Sequence, residues 1–461
     1  MGSESPTNRP ASEKKVVVLG GGLAGLSAAR RLLQLGFGVT LVEKRAFLGG
    51  RAFSFRDRES GIEIDNGQHV FLACNTHYID YLRDINVIDK TYIQDRFRVQ
   101  IIRDGVSGEL SSSPWLGPMH LLPSFFKYPH LSLFEKLRAL YGLMSMKLTN
   151  HGKISADIDH ETAYEWLKRH GQNDRTIENI WNLFILPALN DNVRSVSAGE
   201  MIRVFQEALL KNPSDSRIGV AKIGLTSLNG EPAQAYIEAH GGNLSLGTGV
   251  KSICVKDSRV QHVEMQDGSK IASDVFISAL PFEVMLEVLP ETIVNQKFFS
   301  RLHFIETAPI VGLNLWYNKP IMDQAFVAFL NSSVQWVFNK SLIQGSGVGT
   351  GQHVYISLSA AWEHVNDSKE KLRGNFTEEM ARLFPAARHA KVTRFLAVKE
   401  RQATFRSLPG TYQHRPNQIT PISNLFQAGD WTQTGLPSTM ESAVLSGVLA
   451  AEALAKNHAH R

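Results

Sequence analysis

The apolar positions of this chain fall into short, bounded runs. Val16 to Leu19 are four consecutive β-branched or aliphatic residues between lysines and a glycine cluster. Such a run reads as a strand buried on both faces. Gly20, Gly22 and Gly25 follow in G-x-G-x-x-G spacing. Leu26, Ala29 and Leu33 then share one face of a predicted helix, and a second apolar strand, Val39 to Val42, ends at Glu43. Further on, Phe53 to Gly67 reads as a hairpin turning at Arg58 to Gly61. Leu133, Leu137, Leu140, Tyr141, Met144 and Leu148 recur at helical spacing, with Glu135, Lys136, Arg138 and Lys147 largely off that stripe. Helices are predicted at Thr162–His170, Thr176–Leu189 and Glu231–His240. Strands are predicted at Val250–Val255, Val260–Met265, Asp274–Leu280, Val311–Tyr317 and His353–Ser359. Near the C-terminus a strand from Leu425 ends at Gly429-Asp430. A Ser438-x-x-Glu441 capping box then opens a helix.

Strand, glycine turn, helix, strand and terminal acid stand in the order that binds a dinucleotide. Gly20 permits the tight turn, Gly22 lets backbone approach a pyrophosphate, and Gly25 lets helix and strand pack closely. The helix N-terminus, with Gly21, Leu23 and Ala24 around it, faces the phosphate charge. Glu43 is placed for ribose hydroxyls, and its charge disfavours a 2′-phosphate, so NADP is not expected there. After Lys44 come Leu48-Gly49-Gly50-Arg51, a second close backbone approach with a guanidinium, which a nicotinamide dehydrogenase does not need. Gly345 to Gly351 is also glycine-rich but lacks the strand–helix context and reads as a flexible hairpin loop. With no second dinucleotide fold, electrons must come from an outside donor or from the substrate.

These motifs resemble the flavin amine oxidase and phytoene desaturase superfamily. The resemblance implies FAD as cofactor and an α/β fold: a Rossmann-like FAD domain, parallel sheet with helices, interleaved with an α+β substrate domain. It places the FAD domain at 14–75, 215–285 and 400–457, and the substrate domain at 76–214 and 286–399. It further implies that Gly67, Gln68 and His69 pass beside the flavin ring and that the Val250 backbone meets the adenine. Gly429 and Asp430 would lie near the ribityl chain, and the Met440 N–H on the pyrimidine ring.

Shorter stretches resemble the hydroxysqualene dehydroxylases of bacterial squalene and hopanoid synthesis. They are Asp65-Asn66-Gly67-Gln68-His69-Val70, Tyr164 to Leu167, Arg169 to Gln172, Leu186 to Asn190, Asp430-Trp431-Thr432 and Gly435 to Glu441. That resemblance implies FAD-dependent reductive dehydroxylation of hydroxysqualene to squalene, with a hydride from reduced flavin meeting an allylic cation. His69 and Asp430 are the candidates for the proton. A carotenoid desaturase and a flavin-containing lipid-binding protein without turnover are the alternatives. No aromatic pair suggests an amine cage.

Composition narrows the setting. The chain has 461 residues, 43% apolar and 20% charged, enough for a large core. Its two cysteines, Cys74 and Cys254, make no C-x-x-C, so neither a disulfide framework nor a metal site is expected. A formal charge of +5 and a pI near 9.0, with scattered basic residues, suit anionic lipid better than nucleic acid. No apolar run is long enough to span a bilayer. Met1 to Glu13 is polar and reads as a disordered leader, not a secretory signal. Trp115, Met119, Leu121, Leu122, Phe125, Phe126 and Tyr128 crowd among prolines just before the amphipathic helix. Region 114–148 is therefore expected to touch a membrane surface, with the protein on the inner, cytoplasmic face.

Overall fold

The computed structural model describes residues 14–58, 61–114, 116–150, 158–346 and 351–459. The expected leader, Trp115 and the middle of the glycine-rich loop after Ser346 lie outside the described residues.

The nucleotide-type sheet has five strands, all parallel: β1 (Lys15–Leu19), β2 (Gly38–Glu43), β3 (Asn243–Leu246), β4 (Val275–Ser278) and β5 (Leu425–Gln427), in spatial order β3-β2-β1-β4-β5. Alternation along β1 explains its apolar run. Val16 and Val18 pack into one hydrophobic cluster while Val17 and Leu19 pack into another on the opposite face. A strand buried on both sides needs apolar residues at every position.

The helices include α1 (Leu23–Gln34), α2 (Thr76–Asp84), α3 (Leu122–Lys127), α4 (Leu133–Leu148), α5 (Ala198–Ala208), α6 (Lys340–Gln344) and α7 (Met440–Ala459). α1 and α7 pack closely because Gly447 has no side chain. A Cβ there would lie 2.2 Å from the Ala24 carbonyl oxygen. The Ser27 hydroxyl donates to the Val444 carbonyl at the same contact, 2.8 Å away.

The second sheet has seven strands in the order Val392–Phe405, Thr307–Tyr317, Gln352–Ser359, Trp336–Asn339, Phe326–Leu330, Arg98–Arg103, Val106–Ser111. Only the contact between Phe326–Leu330 and Arg98–Arg103 is parallel. The strand Val392–Phe405 pairs with Thr307–Tyr317 as far as Phe405, so it runs through the boundary expected at 400. The strands around the glycine-rich loop, Trp336–Asn339 and Gln352–Ser359, are antiparallel as a hairpin requires, with the short helix α6 inserted between them.

The expected helix Thr176–Leu189 is not uniform. Ile177–Trp181 is a π-type turn, Asn182–Leu189 is α-helical, and Asn190 ends it in the left-handed conformation, φ 50°. α4 holds its predicted bounds, and Ser132 and Glu135 form a capping box at its start. Most of its predicted apolar stripe faces away from the core. Glu135 and Lys136 are buried, while Leu133, Leu137, Tyr141, Met144 and Leu148 are exposed. Among the described residues no helix is long and apolar enough to cross a membrane.

Candidate functional site

One cavity of about 1140 Å³ runs from the glycine motifs into the second domain. Its polar end lies at the carboxyl edge of the parallel sheet, where α/β sheets take ligands. Of the sequence-predicted residues, Gly20, Gly22, Leu23, Ala24, Glu43, Lys44, Gly49, Gly50, Arg51, Gly67, Gln68, His69, Val250, Gly429, Asp430 and Met440 line it. Gly21 and Gly25 do not, and both act from behind. The Gly21 N–H donates to Glu43 Oε2 at 2.7 Å, and the Arg45 N–H to Oε1 at 2.9 Å, fixing the carboxylate. Gly25 is a packing glycine, since a Cβ there would lie 1.9 Å from the Gly20 carbonyl oxygen.

The two glycine motifs dock on each other. Gly49 N–H donates to the Gly21 carbonyl at 2.9 Å. Gly50, at φ +60°, would put a Cβ 2.7 Å from Gly22 Cα. α1 begins after Gly22 with no side-chain cap on its first N–H groups. Uncapped amides at a helix start, with glycine backbone on two sides, make a cradle for a pyrophosphate. This cradle, beside an anchored Glu43, fits a dinucleotide.

The C-terminal motif corrects one expectation. Ser438 is not the helix cap: its hydroxyl donates to Asp430 Oδ2. Glu441 closes no capping box either, because its carboxylate accepts from the His77 and Tyr78 N–H groups at the start of α2 and binds His77 Nδ1 at 2.8 Å. Thr439 takes the role, accepting from the Ser442 N–H at 3.1 Å. A long-range contact outcompetes the local one here, since Glu441 satisfies two otherwise orphan donors of another helix. It also draws the His77 imidazole above its ordinary pKa.

Asp430 is buried, and both carboxylate oxygens are engaged: Oδ1 by Arg51 Nη2, Oδ2 by Ser438. Each oxygen holds one of these partners, and Asp430 anchors the Arg51 guanidinium.

His69 Nδ1 lies 3.1 Å from the Gly67 carbonyl. A carbonyl only accepts, so Nδ1 carries the proton and Nε2 presents a lone pair. Burial pushes the His69 pKa below its ordinary value, against the Gly67 bond and the Asp65 charge. The ring is neutral at neutral pH, and it donates at Nε2 only after it takes up a proton.

Beneath His69 lies a pair that sequence reasoning missed. Lys340 of α6 places Nζ 2.8 Å from Asp65 Oδ2 and 3.1 Å from Gln68 Oε1, with Lys340 and Asp65 only 3% and 5% exposed. Ser54, the Leu225 N–H and Gln344 complete the shell around Asp65. Burial alone would raise the Asp65 pKa. The Lys340 charge and these hydrogen bonds outweigh it and hold the carboxyl below its usual range. Asp65 stood out within a polar cluster after an apolar strand, but nothing near Lys340 marks it, because its partners come from the other domain.

Away from the glycines much of the cavity wall is aromatic, Phe97, Phe184, Phe205, Phe326, Trp336 and Phe338, with Arg203, Glu207 and Glu400 lining it as well. Phe184 and Phe205 stand edge to face at 6.0 Å. Of the helices predicted at Thr162–His170 and Thr176–Leu189, only Phe184, Pro187 and Ala188, with Asn190 at the end, reach the cavity; Trp166 and Trp181 are core. Asn190 and Thr404 line the cavity too, joined at 2.9 Å.

The sequence profile of the family described as "Flavin containing amine oxidoreductase" matches residues 23–455. A zeta-carotene desaturase of Synechocystis sp. is 25% identical over 480 residues, covering 96% of this chain and 98% of that protein. A 15-cis-phytoene desaturase of Synechococcus elongatus is 22% identical over 455 residues, covering 95% of each. A putrescine oxidase variant superposes with a TM-score of 0.75 at 16% identity, over 96% of this chain and 99% of that one. An oxidoreductase from Methanosarcina mazei does so with 0.73 at 16%, over 96% and 100%. The mixed α/β fold is that of these enzymes, and the cradle at α1 fits the dinucleotide cofactor they share. With nearly its whole length matched, the chain is a FAD-dependent oxidoreductase of the flavin-containing amine oxidoreductase family.

Proposed function

We propose that the chain is a hydroxysqualene dehydroxylase, reducing an allylic C30 alcohol to squalene at the cytoplasmic face of a membrane. The observation that carries this reading is the lining of this cavity. Aromatic side chains share it with the dinucleotide end and with the polar residues Gln68, His69, Asn190 and Thr404. A pure hydrocarbon leaves the His69 Nε2 lone pair without a donor, whereas an alcohol can donate to it.

FAD would be held by the α1 N-terminus with Gly20, Gly22, Leu23 and Ala24 at the pyrophosphate, and by Glu43 at the ribose. Lys44 and Gly49 to Arg51 would flank it, with Val250 at the adenine, Gly429 and Asp430 at the ribityl chain, and Met440 at the pyrimidine ring. Reduced FAD supplies the hydride for the new C–H bond, and an external donor recharges it. The chain's own residues do the rest. The aromatic side chains orient the substrate and exclude water from the developing cation. The departing hydroxyl needs a proton to leave as water, and His69, which lines the cavity, would deliver it from Nε2 once the ring is protonated.

The neutral state of His69 favours a second reading. A proton acceptor beside the flavin suits a desaturase, which removes hydrogen, and the carotenoid desaturase relatives point the same way. The two differ in the sign of their pH dependence. As a donor, His69 is active below its lowered pKa, so kcat/KM falls as pH rises through that value. As an acceptor, the rate rises instead. His69→Gln should cut turnover about 100-fold or more with FAD retained. Full turnover with FAD bound would remove His69 from the mechanism.

A further inference from the structure

α4 buries Ala139 and Met146 in the core and presents a second apolar side to solvent. Leu133, Leu137, Tyr141, Met144 and Leu148 form a stripe at i, i+3 and i+4 spacing, and all are exposed, Leu148 at 77%. Phe134 beside them is 79% exposed. Two polar residues, Glu135 and Lys136, are locked inward. Glu135 Oε2 accepts from the Ser132 N–H, and Lys136 Nζ donates to the Phe126 carbonyl, at 2.8 Å and 2.7 Å. The stripe runs about 24 Å, the length of the whole helix, and Met119 and Phe126 extend it on the preceding segment.

Charge tells what covers this face. Between residues 116 and 150 the only acidic side chain is the buried Glu135, while Lys127, Arg138 and Lys147 are all exposed. An apolar stripe rimmed by cations alone matches an anionic lipid surface. Position agrees. α4 packs on α5, and α5 carries Val204, Phe205 and Ala208 into the cavity wall. His120 Nε2, on the segment that bears Met119, sits 3.1 Å from the carbonyl of Leu209, which also lines the cavity.

We propose that the α3–α4 face docks in the outer layer of an anionic bilayer and takes a lipid substrate from it into the cavity beside His120 and Leu209. The route rests on the reading of a lipophilic substrate; the docking does not. Phe134 and Leu148, the most exposed of the face, can be replaced with little cost to packing.

The test uses FAD-loaded protein and vesicles of phosphatidylcholine with or without phosphatidylglycerol. Wild type should co-sediment with the anionic vesicles at low salt and less at high salt. A Phe134→Glu/Leu148→Glu variant should bind at least about tenfold more weakly, with its flavin spectrum and circular dichroism unchanged. Equal sedimentation of variant and wild type, or none by wild type, overturns the docking. So does a wild-type dimer in analytical ultracentrifugation that the same substitutions dissociate, since a second copy would then cover the face. Turnover of detergent-dispersed hydroxysqualene is measured alongside. If it persists without vesicle binding, only the docking fails; vesicle binding without turnover of that alcohol leaves the docking standing and removes the functional reading.

Discussion

Lys340→Met should destabilise the folded protein by about 3–5 kcal/mol at pH 8, because it leaves the Asp65 carboxylate buried without its cation. Asp65 is 5% exposed, and Lys340 is its only ionic partner among the described residues. The sign of the pH dependence follows. In the wild type the folded-state pKa of Asp65 lies below its unfolded value. Its contribution is therefore present above the ordinary carboxylate pKa of about 4 and is lost as pH falls through the lowered value. In the variant burial dominates and the folded pKa rises. The penalty is then full above that raised value and disappears below about pH 4. Urea denaturation at pH 8 and pH 5 should show the larger loss at pH 8. Adding Asp65→Asn should recover part of it, since a neutral amide replaces the stranded charge. A uniform loss of less than about 1 kcal/mol, the scale of an exposed ion pair, would contradict the account. Gln68 bears on the site as well: with Lys340 gone, nothing holds its Oε1, and its neighbour His69 loses a positive charge that depresses its pKa.

Gly25→Ala should cost about 3 kcal/mol, the upper end for overpacking, because the new Cβ meets a backbone atom rather than a side chain that can rotate away. The obstacle is the Gly20 carbonyl at 1.9 Å, in the same turn that shapes the cradle. Loss of bound FAD should accompany the loss of stability. Gly22→Ala is the control. A Cβ there has 3.6 Å to Gly50 Cα as its nearest protein neighbour, yet Gly22 lines the cavity. Without flavin this variant should melt within about 1 °C of wild type, the shift expected for a few tenths of a kcal/mol, while still failing to retain the yellow colour. Thermal melts with and without added FAD separate the two effects. A Gly25→Ala protein that keeps both stability and flavin would show that the turn is not as tight as described.

The parts of the molecule that were legible in the sequence are those whose function demands local residues. A strand, three spaced glycines, a helix and an acid sit within one βαβ unit. Gly49 and Gly50 could be tied to the same ligand because they follow so soon. What stayed hidden depends on partners far along the chain. Lys340 meets Asp65 only because α6 folds back onto the hairpin Ser54–Asp65. Ser438 and Glu441 have the spacing of a capping box, but Asp430 and the start of α2 offer them stronger partners. The bounds of α4 follow from its capping box and apolar spacing. Which face turns outward does not, because a stripe buried in a core and a stripe facing lipid share one periodicity. Charge state also escapes the sequence: only the Gly67 carbonyl and the burial around it make His69 a neutral ring.

The most direct measurement is an anaerobic one. The purified yellow protein is reduced, hydroxysqualene is added, and the flavin spectrum is followed while lipids are extracted. A dehydroxylase returns the oxidised spectrum and forms squalene in equal amount. A reduced protein that hydroxysqualene leaves unchanged, together with bleaching of the oxidised protein by phytoene or a related polyene, would contradict that account and establish a desaturase in its place.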